Sequence, residues 1–195
     1  QPTIWVHHWP QGKDAAAIFA GAADSRADFD ALDPIVDLFE ERGVPGSYYV
    51  DPEIGAPYAP QLARMYRQGD VGIYDSLRTE GDGLPDDQGR RLRRLQNLLE
   101  TYVGGPVTGY KTSERGSYGV NTLGALYRSD FDYFFADSID RRISPWILGG
   151  EYSSLTRIGT TQHSDRDIER GLQGASPDLM NTLLLESLER VHYEG

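Results

Sequence analysis

The stretch VTGYKTSERGSYGVNTLGALYRSDFDYFFADS, residues 107–138, contains two strand patterns with a helix pattern between them. The apolar and β-branched residues at 106–110 predict one strand, and the run rich in Tyr and Phe at 131–138 predicts another. Between them, VNTLGALYRS at 120–129 predicts a helix with Asn121 as its N-cap. A strand, a helix and a second strand in this order predict a parallel pair joined by a crossover helix.

The same alternation runs through the rest of the chain. Further strands are predicted at 15–22, 46–50 and 70–74, with two short strands or extended loops at 146–150 and 154–159. Further helices are predicted at 29–43, 59–69, 86–105 and 176–193, the last with Ser176 as its cap. Repeated strand–helix units predict an α/β fold, in which a parallel sheet, open or closed into a barrel, carries its helices outside.

Two of these helices have an apolar side that we expect to face the core. In the helix at 29–43 this side is formed by Leu32, Ile35, Val36, Leu38 and Phe39. In the helix at 86–105 the leucines form the apolar side, and we place the arginines on the opposite one.

The composition excludes several classes of protein. A net charge of −11, with two lysines in the whole chain, argues against binding to a nucleic-acid backbone. No apolar run approaches the roughly 20 residues of a membrane-spanning helix. The absence of cysteine excludes disulfides, thiolate zinc sites and a cysteine nucleophile. We expect residues 1–195 to form a single domain, and a chain that begins with Gln1 to be either a processed product or a domain excised from a larger protein.

Polar side chains follow the predicted strands, where the site of a parallel α/β fold lies. Asp24 follows the first strand, Asp75 the third and Asp137 the fifth, and none of the four histidines lies at these strand ends. The three carboxylates could converge on a metal ion, but short acidic residues at strand ends also cap the following helix.

Several segments together resemble the polysaccharide deacetylase domain, the NodB homology fold of carbohydrate esterase family 4. The resemblance covers about residues 9–140, in unbroken order. Its motifs are WPQGKDAAAIFAGAADS (9–25), LFEERGVPGSYYV (38–50), YRQGDVGIYDS (66–76) and the stretch at 107–138. The resemblance implies a distorted (β/α) barrel that removes N-acetyl groups from amino sugars. In that family an Asp and two histidines hold a divalent metal, a second Asp acts as the base, an Arg orients the base, and a later His serves as the acid.

Most of this chemistry is missing when the family positions are carried over. The base falls on Ala22 and the metal-binding Asp on Asp24, which would be a vestigial ligand. The two histidines fall on Tyr74 and Arg78, and the orienting Arg falls on Lys111. Alanine cannot take a proton, and loss of a general base forfeits about 10²–10⁴ in rate. The resemblance also implies a last strand that carries the His acting as general acid. We expect this strand to be absent here, so that the barrel is incomplete at its C-terminus.

The leading hypothesis is therefore a catalytically inactive deacetylase-like domain with no cofactor, which keeps a carbohydrate-binding groove. Polar and aromatic residues at the strand ends are the candidate binding residues: Tyr74, Asp75, Arg78, Tyr110, Lys111, Glu114 and Tyr118. Core packing explains each tyrosine equally well. Likewise, a salt bridge from Lys111 to Asp24 or Asp137 would explain the lysine without a ligand.

Two alternatives stay open. One is a divergent metal-dependent polysaccharide N-deacetylase that recruits Asp24, Asp75 and either His163 or His7 to a divalent metal such as zinc. The other is a purely structural scaffold within a larger exopolysaccharide or cell-envelope protein. The acidic charge favours a cationic partner such as an amino-sugar polymer. Since the family mostly acts outside the cytoplasm, the resemblance implies a periplasmic or extracellular location.

Overall fold

The computed structural model describes residues 18, 20–75, 85–112, 120–136 and 143–159, and positions 176, 178, 179, 181–183, 185 and 186. The chain divides into two compact units: Phe19–Thr160, and a second unit made of Gln1–Ile18 and Thr161–Gly195. In the second unit the described positions between 178 and 186 are helical, and the Leu179 amide donates to Ser176 Oγ at 3.3 Å, as expected of the predicted cap. The expectation of one domain over 1–195 stays a prediction.

Strands and helices alternate along the unit Phe19–Thr160. The strands are β1 (Ala20–Ala23), β2 (Ser47–Val50), β3 (Asp70–Asp75), β4 (Gly109–Thr112), β5 (Tyr133–Ala136), β6 (Ile143–Leu148) and β7 (Glu151–Gly159). The helices are α1 (Arg26–Arg42), α2 (Ala59–Gln68), α3 (Pro85–Val103) and α4 (Val120–Arg128), with a short 3-10 turn at Ala56–Tyr58 before α2. Every element that the sequence predicts in the described part of this unit is present. None of the described helices combines the length and hydropathy needed to cross a bilayer.

The described strands form one seven-stranded sheet in the order β1-β2-β3-β4-β5-β7-β6. Neighbours from β1 to β5 are parallel, β7 is parallel to β5, and β6 is antiparallel to β7. The predicted α/β fold is confirmed, and within the described residues the sheet is open, with β1 and β6 at its edges.

A two-residue turn explains why the last pair is antiparallel. Gly149 and Gly150 join β6 to β7, with φ angles of 61° and 91°. Two successive residues with positive φ form the hairpin turn whose twist suits adjacent antiparallel strands, and glycine adopts these angles without strain. The segments predicted as short strands or loops at 146–150 and 154–159 thus form a hairpin.

Helices α1 to α4 of this unit pack on one face of the sheet, which we call the outer face. Its strand residues include Ala23, Tyr48, Ile73, Tyr110 and Phe134, and they form one buried cluster with leucines of the helices. The opposite face, which we call the inner face, carries Tyr49, Tyr74, Lys111, Tyr133 and Phe135. The two sets alternate along each strand because successive side chains of a strand point to opposite faces.

Helix α1 corrects one sequence-based expectation. Leu32 and Val36 are buried, but Ile35 is 42% exposed and Leu38 is 47% exposed. The expectation that these residues share one buried side is therefore wrong. Residues three positions apart differ by about 60° around a helix. Going from Leu32 to Ile35 and on to Leu38 therefore turns the side chain progressively away from the core.

The start of α1 and the N-cap of α4 also differ from the prediction. Helix α1 begins at Arg26 because Ser25 is the cap: its hydroxyl accepts a hydrogen bond from the Asp28 amide at 3.3 Å. Helix α4 begins at Val120, so Asn121 lies within its first turn and is not the N-cap as predicted.

Candidate functional site

Three of the family positions lie on the inner face, in the second halves of their strands. Tyr74 on β3 and Lys111 on β4 are neighbours in register, and Ala22 on β1 is in register with Tyr49 on β2. Ala22 is exposed. The structure therefore places three of the sequence-predicted positions on one face of the sheet, with Ala22 level with Gly72, two residues before Tyr74. A parallel α/β fold places its site at the carboxyl ends of these strands.

Aromatic packing fills the middle of the inner face. Tyr49, Tyr74 and Phe135 form a buried cluster, and the rings of Tyr49 and Phe135 meet edge to face with centroids 5.1 Å apart. The ammonium of Lys111 lies 5.6 Å from the centroid of the Phe135 ring, within the range of a cation–π contact. Tyr74 is 5% exposed, so most of its ring packs against protein.

Two glycines make room for these rings. A Cβ on Gly72 would lie 2.6 Å from the Tyr49 ring and 2.9 Å from the Gly109 carbonyl oxygen, and a Cβ on Gly109 would lie 2.3 Å from the Tyr133 hydroxyl. Both distances to the tyrosines are too short for real side chains, so Tyr49 and Tyr133 lie across the strands where the glycines leave space.

Asp75 and Tyr110 lie on the outer face, away from Tyr74 and Lys111. The Asp75 carboxylate accepts two hydrogen bonds from the Arg91 guanidinium, both at 2.7 Å, and one from the Tyr110 hydroxyl at 3.0 Å. The Asp75 side chain is 1% exposed. Although burial by itself lowers the pKa of Arg91, the hydrogen bond and charge of Asp75 outweigh it and raise the pKa of Arg91. The predicted binding residues are thus divided between the two faces.

A small cavity adjoins this ion pair. It is lined by Asp75, Gln88, Arg91, Leu92, Tyr110 and Thr122. Its volume is about 10 Å³, close to the minimum that one water molecule needs. A sugar ring does not fit in this cavity.

Sequence reasoning missed Arg91, which it placed on the exposed side of α3. Arg91 lies four residues before Leu95 and eight before Leu99, both buried, so the helical period puts its stem on the core side. That spacing was available in the sequence. Its partner Asp75 could not be identified, because no pattern shows which strand the helix covers.

Asp24 follows β1 and lies beside the first turn of α1. Its amide donates to Asp28 Oδ2 at 3.3 Å, and its side chain is exposed. The capping role considered for Asp24 belongs instead to Ser25, whose hydroxyl also donates to Asp28 Oδ2 at 2.6 Å. That hydrogen bond is the main reason why the pKa of Asp28 is lowered.

The remaining site predictions lie outside the described residues. They are Arg78, Glu114, Tyr118, Asp137, His7 and His163. Their predicted roles stay predictions.

The described residues at the family positions do not fit a divalent metal. Zinc and related ions take several imidazole, thiolate or carboxylate ligands. Here Tyr74 contributes a phenol, its register neighbour Lys111 contributes a cation, and both Asp75 oxygens accept from Arg91. Within the described ranges no three His, Cys, Asp or Glu residues are grouped closely enough to hold a metal ion.

The strand order and the helices on one face of the sheet agree with an α/β fold of the NodB type, which solved structures share. This is the fold of the polysaccharide deacetylases of carbohydrate esterase family 4, and the sequence resemblance is confirmed at the level of the fold. No protein-family model and no curated protein matches the sequence.

Three solved structures show the likeness. A probable polysaccharide deacetylase from Pseudomonas aeruginosa PAO1 is 14% identical with a TM-score of 0.64, over 82% of this chain and 54% of that one. The Puue allantoinase is 15% identical with a TM-score of 0.64, over 82% of this chain and 53% of that one. A CE4 family pseudoenzyme from Bacillus anthracis is 9% identical with a TM-score of 0.52, over 88% of this chain and 61% of that one. The chain thus spans between half and two thirds of the length of each.

Proposed function

We propose that this chain is a catalytically inactive polysaccharide deacetylase-like domain that binds carbohydrate at the carboxyl ends of β1, β3 and β4. The observation that carries the proposal is the exposed methyl group of Ala22 at the end of β1, on the same face as Tyr74 and Lys111. The resemblance puts the general base at this position. An alanine there has no atom that can accept a proton from water.

Precedent for a family member without activity exists among the structural neighbours. The Bacillus anthracis structure is described as a CE4 family pseudoenzyme, and a mutant of the same protein as having restored enzymatic activity. This supports the idea that the fold persists when its catalytic residues are lost.

The proposed ligand is an amino-sugar polymer that carries free amino groups, and the proposed location is periplasmic or extracellular. The net charge of −11 favours a cationic ligand, and the exposed Asp24 carboxylate stands at the edge of the proposed groove. In this role the domain serves recognition or scaffolding in exopolysaccharide or cell-envelope metabolism.

Glycan binding tests the proposal directly. Binding of partly deacetylated chitin is compared with binding of a neutral glucan at equal ionic strength. We expect a clear preference for the cationic polymer, weakened in Asp24→Asn and unchanged in Asp30→Asn, which removes an exposed charge of α1 at a distance from the groove. Equal binding of both glycans, or equal loss in both variants, would contradict it.

Metal titration separates this function from the alternative of a divergent metal-dependent N-deacetylase. Zinc, cobalt and nickel are titrated calorimetrically into metal-free protein, and acetate release is then assayed with each metal. We expect neither stoichiometric binding nor acetate release. Tight one-to-one binding that is lost in Asp24→Ala, together with acetate release, would establish the alternative instead.

A further inference from the structure

A cleft lies between the last turns of α1 and α2, beside the amino ends of β2 and β3. Its volume is about 360 Å³. Among the described residues it is lined by residues 39, 40 and 43–45 at the end of α1, and by Arg67 and Gln68 at the end of α2. The proposed carbohydrate groove lies at the carboxyl ends of the strands, so the two places are at opposite ends of the sheet. A cleft of about 300–1,000 Å³ is the usual size of a small-molecule site.

Part of the lining is apolar, and hydrogen bonds join the two walls. The apolar lining residues are Phe39, Val44 and Pro45. Gln68 Oε1 accepts hydrogen bonds from the Gly46 amide at 3.1 Å and from the Tyr48 hydroxyl at 2.7 Å, and Gln68 Nε2 donates to the Val44 carbonyl oxygen. Because these bonds hold the end of α2 to the segment that leads into β2, the cleft is already formed without a ligand.

Two opposite charges line this cleft, and one of them is shared within a group of three. Arg64 of α2 donates to both carboxylate oxygens of Glu40, at 3.0 and 2.6 Å, and to Asp37 at 2.5 Å. Two carboxylates and one guanidinium leave this group with one net negative charge. The end of α1 adds a partial negative charge of its own. The Glu40 side of the cleft therefore favours a cationic group.

The opposite charge belongs to Arg67. Its side chain is exposed, and among the described residues no carboxylate lies within ion-pair distance of it. Glu40 is still near enough to respond to it. The hydrogen bonds of Arg64 are the main reason why the pKa of Glu40 is lowered, and the charge of Arg67 adds to this effect. The cleft thus holds a positive and a negative group that do not pair with each other.

We propose that this cleft binds a small zwitterion with an apolar side chain, that is, an α-amino acid such as phenylalanine. The carboxylate of the ligand pairs with Arg67, and its ammonium group pairs with Glu40. The side chain of the ligand packs on Phe39, Val44 and Pro45, which removes apolar surface from water.

A ligand with only one of the two charges fits less well. An anion would gain the contact with Arg67, but the net charge of the chain, −11, and the Glu40 side of the cleft both repel it. An amine would gain the contact with Glu40 and nothing from Arg67. The comparison of these ligands with an amino acid is therefore the central test.

Titration of the ¹⁵N-labelled full chain, followed by NMR, tests the proposal. The probes are L-phenylalanine, 3-phenylpropanoate, which lacks the amino group, and 2-phenylethylamine, which lacks the carboxylate. We expect saturable shifts of the Gly43, Val44 and Gln68 amide signals with phenylalanine, and dissociation constants at least about tenfold higher for the other two.

Arg67→Gln is the test variant, and Arg42→Gln is its matched control. Each arginine is the basic residue in the last turn of its helix, where it complements the partial charge of the helix end, but only Arg67 lines the cleft. We expect Arg67→Gln to raise the dissociation constant of phenylalanine about tenfold or more and to leave that of 2-phenylethylamine unchanged. Arg42→Gln should change neither. The amide spectrum of each variant reports at the same time that it is folded.

Four results would overturn the proposal. They are the absence of saturable shifts with phenylalanine, equal affinity for phenylalanine and either analogue, equal losses in the two variants, and shifts confined to signals outside the cleft. None of them bears on carbohydrate binding at the other end of the sheet, which the glycan experiment tests separately.

Discussion

At the scale of single residues, the ion pair between Asp75 and Arg91 is the main polar feature of the outer face. The carboxylate is nearly inaccessible and takes three hydrogen bonds, two from Arg91 and one from Tyr110. A buried pair of this kind adds little compared with apolar residues of the same shape, but loss of one partner leaves a buried charge unpaired.

We therefore expect Arg91→Met to lower the free energy of unfolding by about 3–5 kcal/mol, measured by urea denaturation. The matched control is Arg90→Met, which removes the neighbouring arginine and its exposed pair with Asp87. The control should cost less than about 1 kcal/mol. Similar losses in the two variants would show that the Asp75 pair is not the stabilising contact that the structure indicates.

A second residue-scale feature is a chain of hydrogen bonds on the inner face. The Tyr49 hydroxyl donates to the Tyr133 hydroxyl at 3.1 Å, and the Tyr133 hydroxyl donates to Asp70 Oδ2. Burial raises the pKa of Asp70, and the negative charge of Asp132 raises it further, against the opposing effect of the Val71 amide. Because the pKa of Asp70 is higher in the folded state, the folded state binds this proton more tightly than the unfolded state.

The contribution of Asp70 to stability is therefore lost as the pH rises. The loss begins near the ordinary aspartate pKa of 3.8 and is complete above the raised value in the folded protein. Asp70→Asn keeps an oxygen for Tyr133 and removes the charge, so it should be more stable than the wild type at neutral pH and flatten this part of the pH profile. Urea denaturation across the acidic range, with Asp130→Asn at an exposed turn as control, measures both effects. A wild type that gains stability relative to Asp70→Asn on going to neutral pH would contradict the assignment.

At the scale of elements, the close approach of Tyr49 to β3 makes Gly72 necessary. The Cβ of an alanine would meet the Tyr49 ring and also the backbone oxygen of Gly109, which cannot turn away as a side chain can. Gly72→Ala should lower the free energy of unfolding by about 1–3 kcal/mol. Gly89→Ala, inside α3 with no atom within 4 Å of the new Cβ, should raise it by about 1 kcal/mol. Thermal unfolding of both variants shows whether each substitution lowers or raises stability. A stabilising Gly72→Ala would contradict the packing on the inner face.

The elements themselves could be predicted, since apolar periodicity and caps mark them. Their faces could be predicted only in part. Along β3 and β4 the alternation of strand side chains is enough by itself to separate Tyr74 from Asp75, and Tyr110 from Lys111. The spacing around α1 likewise separates Ile35 and Leu38 from Leu32.

At the scale of the whole molecule, the parallel sheet and the resemblance gave the fold class and the place of the candidate site. What could not be predicted is which long-range partners the polar residues find. The pairing of Asp75 with Arg91, and of Asp70 with Tyr133, joins residues far apart in sequence, and each depends on which helix or strand lies beside it in space. No local pattern identifies those neighbours, so the sequence could not show that Arg91 is the partner of Asp75 or that Tyr133 is the partner of Asp70.

The order of the strands in the sheet has a consequence for synthesis on the ribosome. From β1 to β5 each strand lies next to the one made just before it, so its hydrogen-bonding partner already exists when it emerges. Each new strand therefore pairs with a segment only one helix earlier in the chain, and not with a more distant one. Among the described strands, β6 departs from this order, because it is made before β7 but lies outside it in the sheet. It can pair only after the Gly149-Gly150 turn has placed β7 beside it. When β5 but not β7 has emerged from the ribosome, the nascent chain therefore already contains most of its described sheet. The free edge of β5 is then the place where β7 will pair.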